Sequence, residues 1–229
     1  MNDVTEAIHG RLVVSCQAYP GEPMLDPRTM AQVAQAAVAG GAVGIRGKGL
    51  DDLRAIRAAV DVPIIGLVKV GDTGVYITPT LADCLEVAAT GCEVVALDGT
   101  RRPRPDGRTL AETVAGLRAQ YPDVLVMADC GSVADAAAAV EAGVDILGTT
   151  LAGYTGERPK TEGPDWEVVD GVVALASEAG LPVFVEGRVH TPAQAAEAMR
   201  RGAWSVVVGT AITHPTTLTR WFADAVASA

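Results

Sequence analysis

The chain has 229 residues, 28 acidic and 18 basic side chains, and a formal net charge of −10. That balance excludes nonspecific nucleic-acid binding and adsorption to anionic membranes, and any anionic ligand must be drawn in by local positive groups against the global field. Hydrophobic residues make up 49 % and aromatic ones 4 %, so the core is built from Ala, Val, Leu and Ile, which suits buried parallel strands between helices.

Short β-branched runs alternate with Ala-rich helical segments along the whole length. The first predicted strand, 12–18, carries Gln17 near its end, and Asp26-Pro27 then places a capping residue before a proline at a helix start. The second strand, 42–46, ends on Arg46, and the third, 63–69, ends on Lys69. The fourth, 93–98, ends on Asp98 and leads into the basic run Arg101-Arg102-Pro103-Arg104-Pro105. The fifth, 124–129, ends on Asp129, after which Ser132–Asp135 resembles a capping box with Asp in place of Glu or Gln. The sixth, 145–149, meets Thr149-Thr150 and a stretch rich in Gly, Pro and charge over 151–164. The seventh, 182–186, ends on Glu186-Gly187-Arg188, with Thr191–Gln194 as a further capping box. The eighth, 204–208, is followed by Gly209-Thr210, then by a segment at 211–215 suited to a short extra turn, and by a last helix bearing Trp221-Phe222.

A repeat underlies this alternation. Gly41, Gly91, Gly143 and Gly202 each end a helix and lead into an apolar strand, at separations of 50, 52 and 59 residues. Pro63, Pro122 and Pro182 open or precede odd-numbered strands, 59 and 60 residues apart. Four βαβα modules predict a single-domain (β/α)8 TIM barrel of the phosphate-binding type over residues 1–229. The competing doubly wound open sheet usually has fewer units, and no G-x-G-x-x-G follows the first strand.

In such a barrel the site lies at the carboxyl ends of the strands. Gln17, Arg46, Lys69, Asp98, Asp129, Thr149-Thr150, Glu186 and Arg188 all fall there, and charged ends on buried strands are costly unless paired or solvated. Singly, each is explained by a salt bridge closing the barrel top; together they predict a site. Gly187 and Gly209-Thr210 predict a phosphate cradle of backbone N–H groups, the alternative being two tight β-to-α turns. Lys69, partly desolvated, is a candidate proton acceptor, with a structural pair to Asp98 as the alternative. Glu186, across the mouth, is a second proton carrier. The basic run at 101–105 is a substrate clamp or a solvated or subunit-facing loop, and 151–164 is a lid or an ordinary exposed loop. Trp221-Phe222 packs a core or a subunit face.

Cys16, Cys84, Cys92 and Cys130 form no CxxC pair or Cys/His cluster, and His9, His190 and His214 lack metal-ligand spacing, so reduced thiols and no bound metal are expected. The amino-terminal MNDVTEAIHGR has no secretory pattern, and no apolar run is long enough to cross a bilayer, so a soluble cytoplasmic protein is expected.

The segments SCQAYPGEP (15–23), GGAVGIRG (40–47), PIIGLVK (63–69), VYITPT (75–80), ALDGTRRPRPDG (96–107), MAD (127–129), LGTTLAGYT (147–155), VEGRVHTP (185–192) and VVVGTAITHP (206–215) together resemble the N-acylglucosamine-6-phosphate 2-epimerase family. The resemblance covers nearly the whole chain. It implies interconversion of N-acetylmannosamine 6-phosphate and N-acetylglucosamine 6-phosphate, a step in sialic acid use, without a cofactor. It further implies Lys69 as the base at C2 and Glu186 as its acid/base partner. Gln17, Arg46, Asp129 and Arg188 would contact the sugar, and Gly187, Gly209, Thr210 and His214 the phosphate. Where this chain has His214, family members commonly have arginine, which implies a weaker or pH-dependent phosphate contact. The VGDTG after Lys69 is shorter and less charged than the family pattern, and Asp129-Cys130-Gly131-Ser132 replaces Asp-Ile-Ser-Thr. The expected partner is a small phosphorylated amino sugar, with no nucleic acid or membrane, in a homo-oligomer of which a dimer is the simplest form. Rival readings are another phosphate-barrel isomerase, aldolase or lyase using Lys69, and a barrel that binds sugar phosphate without turning it over.

Overall fold

The computed structural model describes residues 3–229. A short helix α1 (Asp3–Ile8) precedes β1 (Leu12–Cys16), α2 (Pro27–Ala39), β2 (Gly44–Lys48), α3 (Leu50–Arg57), β3 (Ile64–Leu67) and α4 (Leu81–Ala88). Then come β4 (Val94–Asp98), α5 (Leu110–Gln120), β5 (Leu125–Asp129), α6 (Val133–Glu141), β6 (Ile146–Gly148) and α7 (Trp166–Ala179). The chain finishes with β7 (Val183–Glu186), α8 (Pro192–Arg200), β8 (Ser205–Val208), α9 (Thr210–Thr213) and α10 (Pro215–Ala227). Among the described residues the eight strands pair in parallel, in sequence order, and β8 closes on β1. This is the (β/α)8 TIM barrel that the alternation predicts.

Every predicted strand overlaps an observed one, and the differences at their ends have physical causes. β2 runs past Arg46 to Lys48, because Arg46 pairs in register with Ser15 and Ile65 and the ladder continues through Gly47. β1 and β3 stop short, leaving Gln17 and Lys69 in the loops beyond. The four repeat glycines have positive φ, +104° at Gly41, +83° at Gly91, +80° at Gly143 and +97° at Gly202. Side-chain-bearing residues rarely adopt that conformation, so the repeat in sequence is a repeated left-handed exit from a helix. A second device also recurs. Arg57 bonds Glu93 at 2.9 Å while Glu93 accepts from the N–H of Ile64 at 2.8 Å. Arg118 and Asp145 treat the N–H of Val126 likewise, at 2.7 and 2.8 Å.

The caps follow the sequence signals with one exception. Asp26 accepts from the Thr29 N–H, and Thr191 with Gln194 completes a capping box. Ser132 caps α6, but the Asp135 carboxylate does not return to it; it accepts from the N–H groups of Gly131 and Arg101 instead. Those two donors belong to the mouth of the barrel, so the Asp ties loops together rather than closing a box.

Apolar packing forms two shells. Ile65, Leu67, Val94, Met127, Ile146, Phe184 and Val207 fill the barrel interior with Ile8 of α1. The second shell, between strands and helices, is mostly Val, Ala and Leu, with Cys16, Cys84, Cys92 and Cys130 inside it as free thiols. Burial pushes the Cys16 thiol up to about 12, away from reactivity. At the amino-terminal end α1 acts as a floor: Trp204 donates from its indole to the Thr5 carbonyl at 2.8 Å and stacks on His9 at 3.8 Å. Of the two expectations for Trp221-Phe222, a core or a subunit face, the core is not found in the last helix. No residue of α10 is buried, Trp221 meets the His190 ring edge-on at 4.8 Å, and Phe222 is 73 % exposed. No helix among the described residues is long and apolar enough to cross a membrane.

Candidate active site

Opposite this floor, at the carboxyl ends of the strands, the barrel holds a cavity of 220 Å³. Gln17, Arg46, Lys69, Glu186, Gly187, Arg188, Gly209, Thr210 and His214 all border it. Asp129 does not. It is fully buried beneath the cavity and meets it only through its partners.

The centre of the site is an ionic cluster that crosses the barrel. Arg46, 1 % exposed, sends its guanidinium from β2 to Asp129 on β5 in a two-pronged pair of 3.1 and 2.6 Å. The same guanidinium stands 3.2 Å from Glu186 on β7. Thr150 joins the two carboxylates, with its hydroxyl 2.6 Å from Asp129 and 3.3 Å from Glu186. A charge this deep is costly unless matched. Asp129 takes both terminal nitrogens of the Arg46 guanidinium, which leaves Glu186, with one approach at 3.2 Å, as the less compensated carboxylate. Burial, first, and the charge of Asp129 push the Glu186 carboxyl up to about 7 against the pull of Arg46 and Lys69.

Lys69 is held by a feature that strand counting does not reveal. Beyond β3 the chain doubles back as a small hairpin: Lys69 bridges Ile77, Val70 donates to the Tyr76 carbonyl at 2.9 Å, and Thr78 to that of Val68 at 2.8 Å. Thr78 has φ +42°, a strained value for a β-branched residue. Its hydroxyl donates to the Ala96 carbonyl at 2.7 Å and accepts from the Val68 N–H at 3.2 Å, which fixes the hairpin to β4. Lys69 thus stands at the rim across from Glu186. Burial, and then the neighbouring Arg46 guanidinium, push its amine below the ordinary lysine range, while Glu186 and Asp129 pull the other way. The two shifts narrow the gap between the proton affinities of the amine and the carboxyl.

The pairing of Lys69 with Asp98 is not found. Asp98 instead takes Arg102 at 2.7 Å and the Thr100 hydroxyl at 2.6 Å. The rest of the basic run is likewise committed, Arg101 to Asp135 and Glu157, and Arg104 to the carbonyls of Pro79 and Asp98. These arginines border a separate hollow beside α6 and leave the cavity of Lys69 alone.

On the opposite side of the cavity, Gly187 and Gly209 follow β7 and β8. Gly187 has φ +110°, and its loop lies against the carbonyls of Thr149 and Thr150. Thr210 opens α9, the short extra helix anticipated at 211–215, whose first N–H groups have no partner within the helix. His214 closes this corner, its Nδ1 3.5 Å from Glu22. Gln17 donates to Ser15 at 2.9 Å, and its amide oxygen is buried with no protein partner.

Arg188 is placed differently from a free sugar contact. With φ +57° it reaches back over the loop 151–164, donating to Ala152 O at 2.8 Å, Gly163 O at 3.0 Å and Thr161 Oγ1 at 2.9 Å, and it lies over the Tyr154 ring. That loop is therefore latched down as one wall of the cavity. Sequence reasoning missed Tyr19, Tyr76 and Tyr154, which border the cavity beside the charged residues. A signal was available: the chain has only four tyrosines, and these three each fall shortly after a strand end.

Comparison with known proteins agrees with this fold. A family model described as "Putative N-acetylmannosamine-6-phosphate epimerase" matches residues 30–228. A Cutibacterium acnes protein named "Putative N-acetylmannosamine-6-phosphate 2-epimerase" is 59 % identical over 222 residues, covering 97 % of this chain and 96 % of its own. A Caldanaerobacter subterraneus protein of the same name is 42 % identical, covering 96 % of this chain and 92 % of its own. The solved structure of the N-acetylmannosamine-6-phosphate 2-epimerase from Clostridium perfringens superposes with a TM-score of 0.92 at 36 % identity, over 97 % of this chain and 96 % of that one. With barrel fold and sequence in agreement along nearly the whole length, this chain belongs to the N-acetylmannosamine-6-phosphate epimerase family.

Proposed function

We propose that this protein interconverts N-acetylmannosamine 6-phosphate and N-acetylglucosamine 6-phosphate by moving a proton at C2. The observation that carries the reading is the pair Lys69, just beyond β3, and Glu186, ending β7, four strand positions apart in an eight-stranded ring, with proton affinities driven toward each other around the fixed Arg46–Asp129 pair. A bound C2 between them is open to a base on one face and an acid on the other.

The steps balance without a cofactor. In the open-chain sugar the C1 aldehyde acidifies the C2 proton. Neutral Lys69 takes that proton, and the electron pair moves through C1–C2 onto O1. The resulting anion lies beside the Arg46 guanidinium, the kind of placed positive charge that lowers such a barrier. Protonated Glu186 then delivers its proton to the opposite face, which inverts C2 and leaves an ammonium and a carboxylate. The reverse reaction uses that product state directly. Gln17, through its unpartnered amide oxygen, is suited to accept from the N-acyl N–H. Gly187, Gly209, Thr210 and His214 are suited to the phosphate, and Asp129 acts through Arg46 and Thr150. Arg188 serves the sugar indirectly, by holding the Tyr154 wall.

Residues 1–229 act in this reading as one catalytic domain in the cytoplasm, serving sialic acid catabolism. The exposed Trp221 and Phe222 on α10 favour a homodimer. The test is incubation with N-acetylmannosamine 6-phosphate in heavy water, followed by proton NMR at C2. The expected product is the glucosamine epimer with deuterium at C2; absence of epimer overturns the reading, and product retaining its C2 proton overturns exchange through these side chains. Trapping by borohydride on Lys69 would instead indicate a Schiff-base aldolase.

A further inference from the structure

Tyr19 follows β1 in the loop that leads to α2, and it is the residue through which Lys69 is steadied. Its phenol oxygen lies 3.3 Å from the Lys69 amine, which donates to it, and its ring centroid lies 4.9 Å from the same nitrogen. The ring is itself held on two sides. Lys48, from the end of β2, donates to the carbonyl of Ala18 and stands 4.8 Å from the Tyr19 centroid. The Tyr19 N–H donates to Glu22 at 2.7 Å, and its ring meets that of His214 at 5.4 Å. A lysine amine on four rotatable bonds has many rotamers to lose, and a base must present its lone pair along one direction to be useful.

We propose that Tyr19 is a positioning residue for this reaction: its phenol oxygen and ring face fix the Lys69 amine toward the cavity, with Lys48 as the strut that fixes Tyr19. This rests on Lys69 being the base at C2. One N–H of Lys69 goes to the phenol oxygen, which turns the remaining lone pair toward the substrate. The groups facing the Lys69 amine are Arg46, Asp129, Glu186, Tyr154 and Lys48 besides Tyr19. Tyr19 is uncharged at neutral pH, because burial and the charge of Glu186 raise its own phenol. It therefore directs the amine without adding charge to the cluster. Its contact with His214 also links the proton-transfer wall to the corner that suits phosphate, so a seated phosphate and a correctly aimed amine share one side chain.

Tyr19→Phe keeps the ring and removes only the oxygen, so it separates aim from shape. The expected result is a kcat lowered about tenfold with KM changed by less than about threefold, since aim is a transition-state property. The oxygen accepts a bond that favours the ammonium. Its removal is therefore expected to move the acidic limb of the kcat profile to lower pH. Tyr19→Leu, which removes the ring as well, is expected to lose more kcat than Tyr19→Phe, with thermal unfolding measured on both to show an intact fold. An unchanged kcat in Tyr19→Phe, an equal rise in KM, or an unmoved acidic limb overturns the proposal. Lys69→Ala run alongside separates the two claims. If it retains activity, the base assignment fails; if it is inactive while Tyr19→Phe behaves as the parent, only the positioning role fails.

Discussion

The two ends of the barrel are made from the same eight strands and solve opposite problems. At the amino-terminal floor, Ile8 is fully buried against the interior shell, and the polar indole of Trp204 is satisfied by a backbone carbonyl of α1. At the carboxyl mouth, Arg46, Asp129 and Glu186 lie in the path of the strands, and Lys69 is pressed beside them. The floor lowers free energy by excluding water from apolar surface. The mouth spends some of that stability to hold charges where water would otherwise solvate them. Stability and activity should therefore respond to opposite ends of one strand set.

The sharpest break in that comparison comes from Lys69→Ala. It is expected to lower kcat by about 10²–10⁴-fold, the usual worth of a positioned base, while the unfolding midpoint stays near that of the parent. Asp129→Ala crosses the divide, because it leaves the Arg46 charge buried with half its compensation gone. A stability loss of about 3–5 kcal/mol is expected in urea unfolding, together with loss of activity. At the floor, Ile8→Ala should cost about 2–5 kcal/mol by the cavity it leaves, with kcat/KM of the folded enzyme unchanged.

Glu186→Gln sharpens the comparison through pH. The Glu186 carboxyl is raised to about 7 from an ordinary 4.5, so between those values the native state binds more protons than the unfolded chain. This group's contribution to stability therefore falls as pH rises through that window, and the loss is complete above about pH 7. The variant lacks that slope, so its midpoint relative to the parent should rise between pH 4.5 and 7, measured by thermal unfolding at fixed salt, while epimerisation is lost. The smallest effect is expected for His214→Arg. A guanidinium stays charged and binds phosphate with two parallel bonds, so KM at pH 8 should fall a few-fold with little change in kcat.

Much of the barrel was legible in sequence for a simple reason. Parallel strands buried on both faces read as apolar runs, and helix exits that need positive φ read as glycine, so Gly41, Gly91, Gly143 and Gly202 disclosed the repeat. Nine of the ten expected site residues were legible because the fold sends its strand ends to one mouth, His214 being implied only by the family resemblance, and nine of the ten border the cavity. Asp129 was placed with them by the same rule, yet its contacts put it one layer deeper. The hairpin that carries Lys69 was less legible, since Val70-Gly71-Asp72-Thr73-Gly74 reads only as a turn and its anchor is the Thr78 hydroxyl on a neighbouring strand. Tyr19 is not legible as a site residue from the strand pattern, because it lies three residues beyond β1 and reaches Lys69 only across the barrel mouth.

By itself, the sequence determined the number and order of the strands, the quarter repeat, and which residue types reach the mouth, because these follow from periodicity and backbone requirements local to each segment. Only the tertiary structure decided how those residues pair. Arg46 chose Asp129, Asp98 chose Arg102, Arg188 turned to the wall loop, and Tyr19 came to rest on Lys69. The partners in these pairs lie up to 83 residues apart in sequence. Ring closure brings them within hydrogen-bond reach, and the cost of leaving a buried charge alone selects among the partners available.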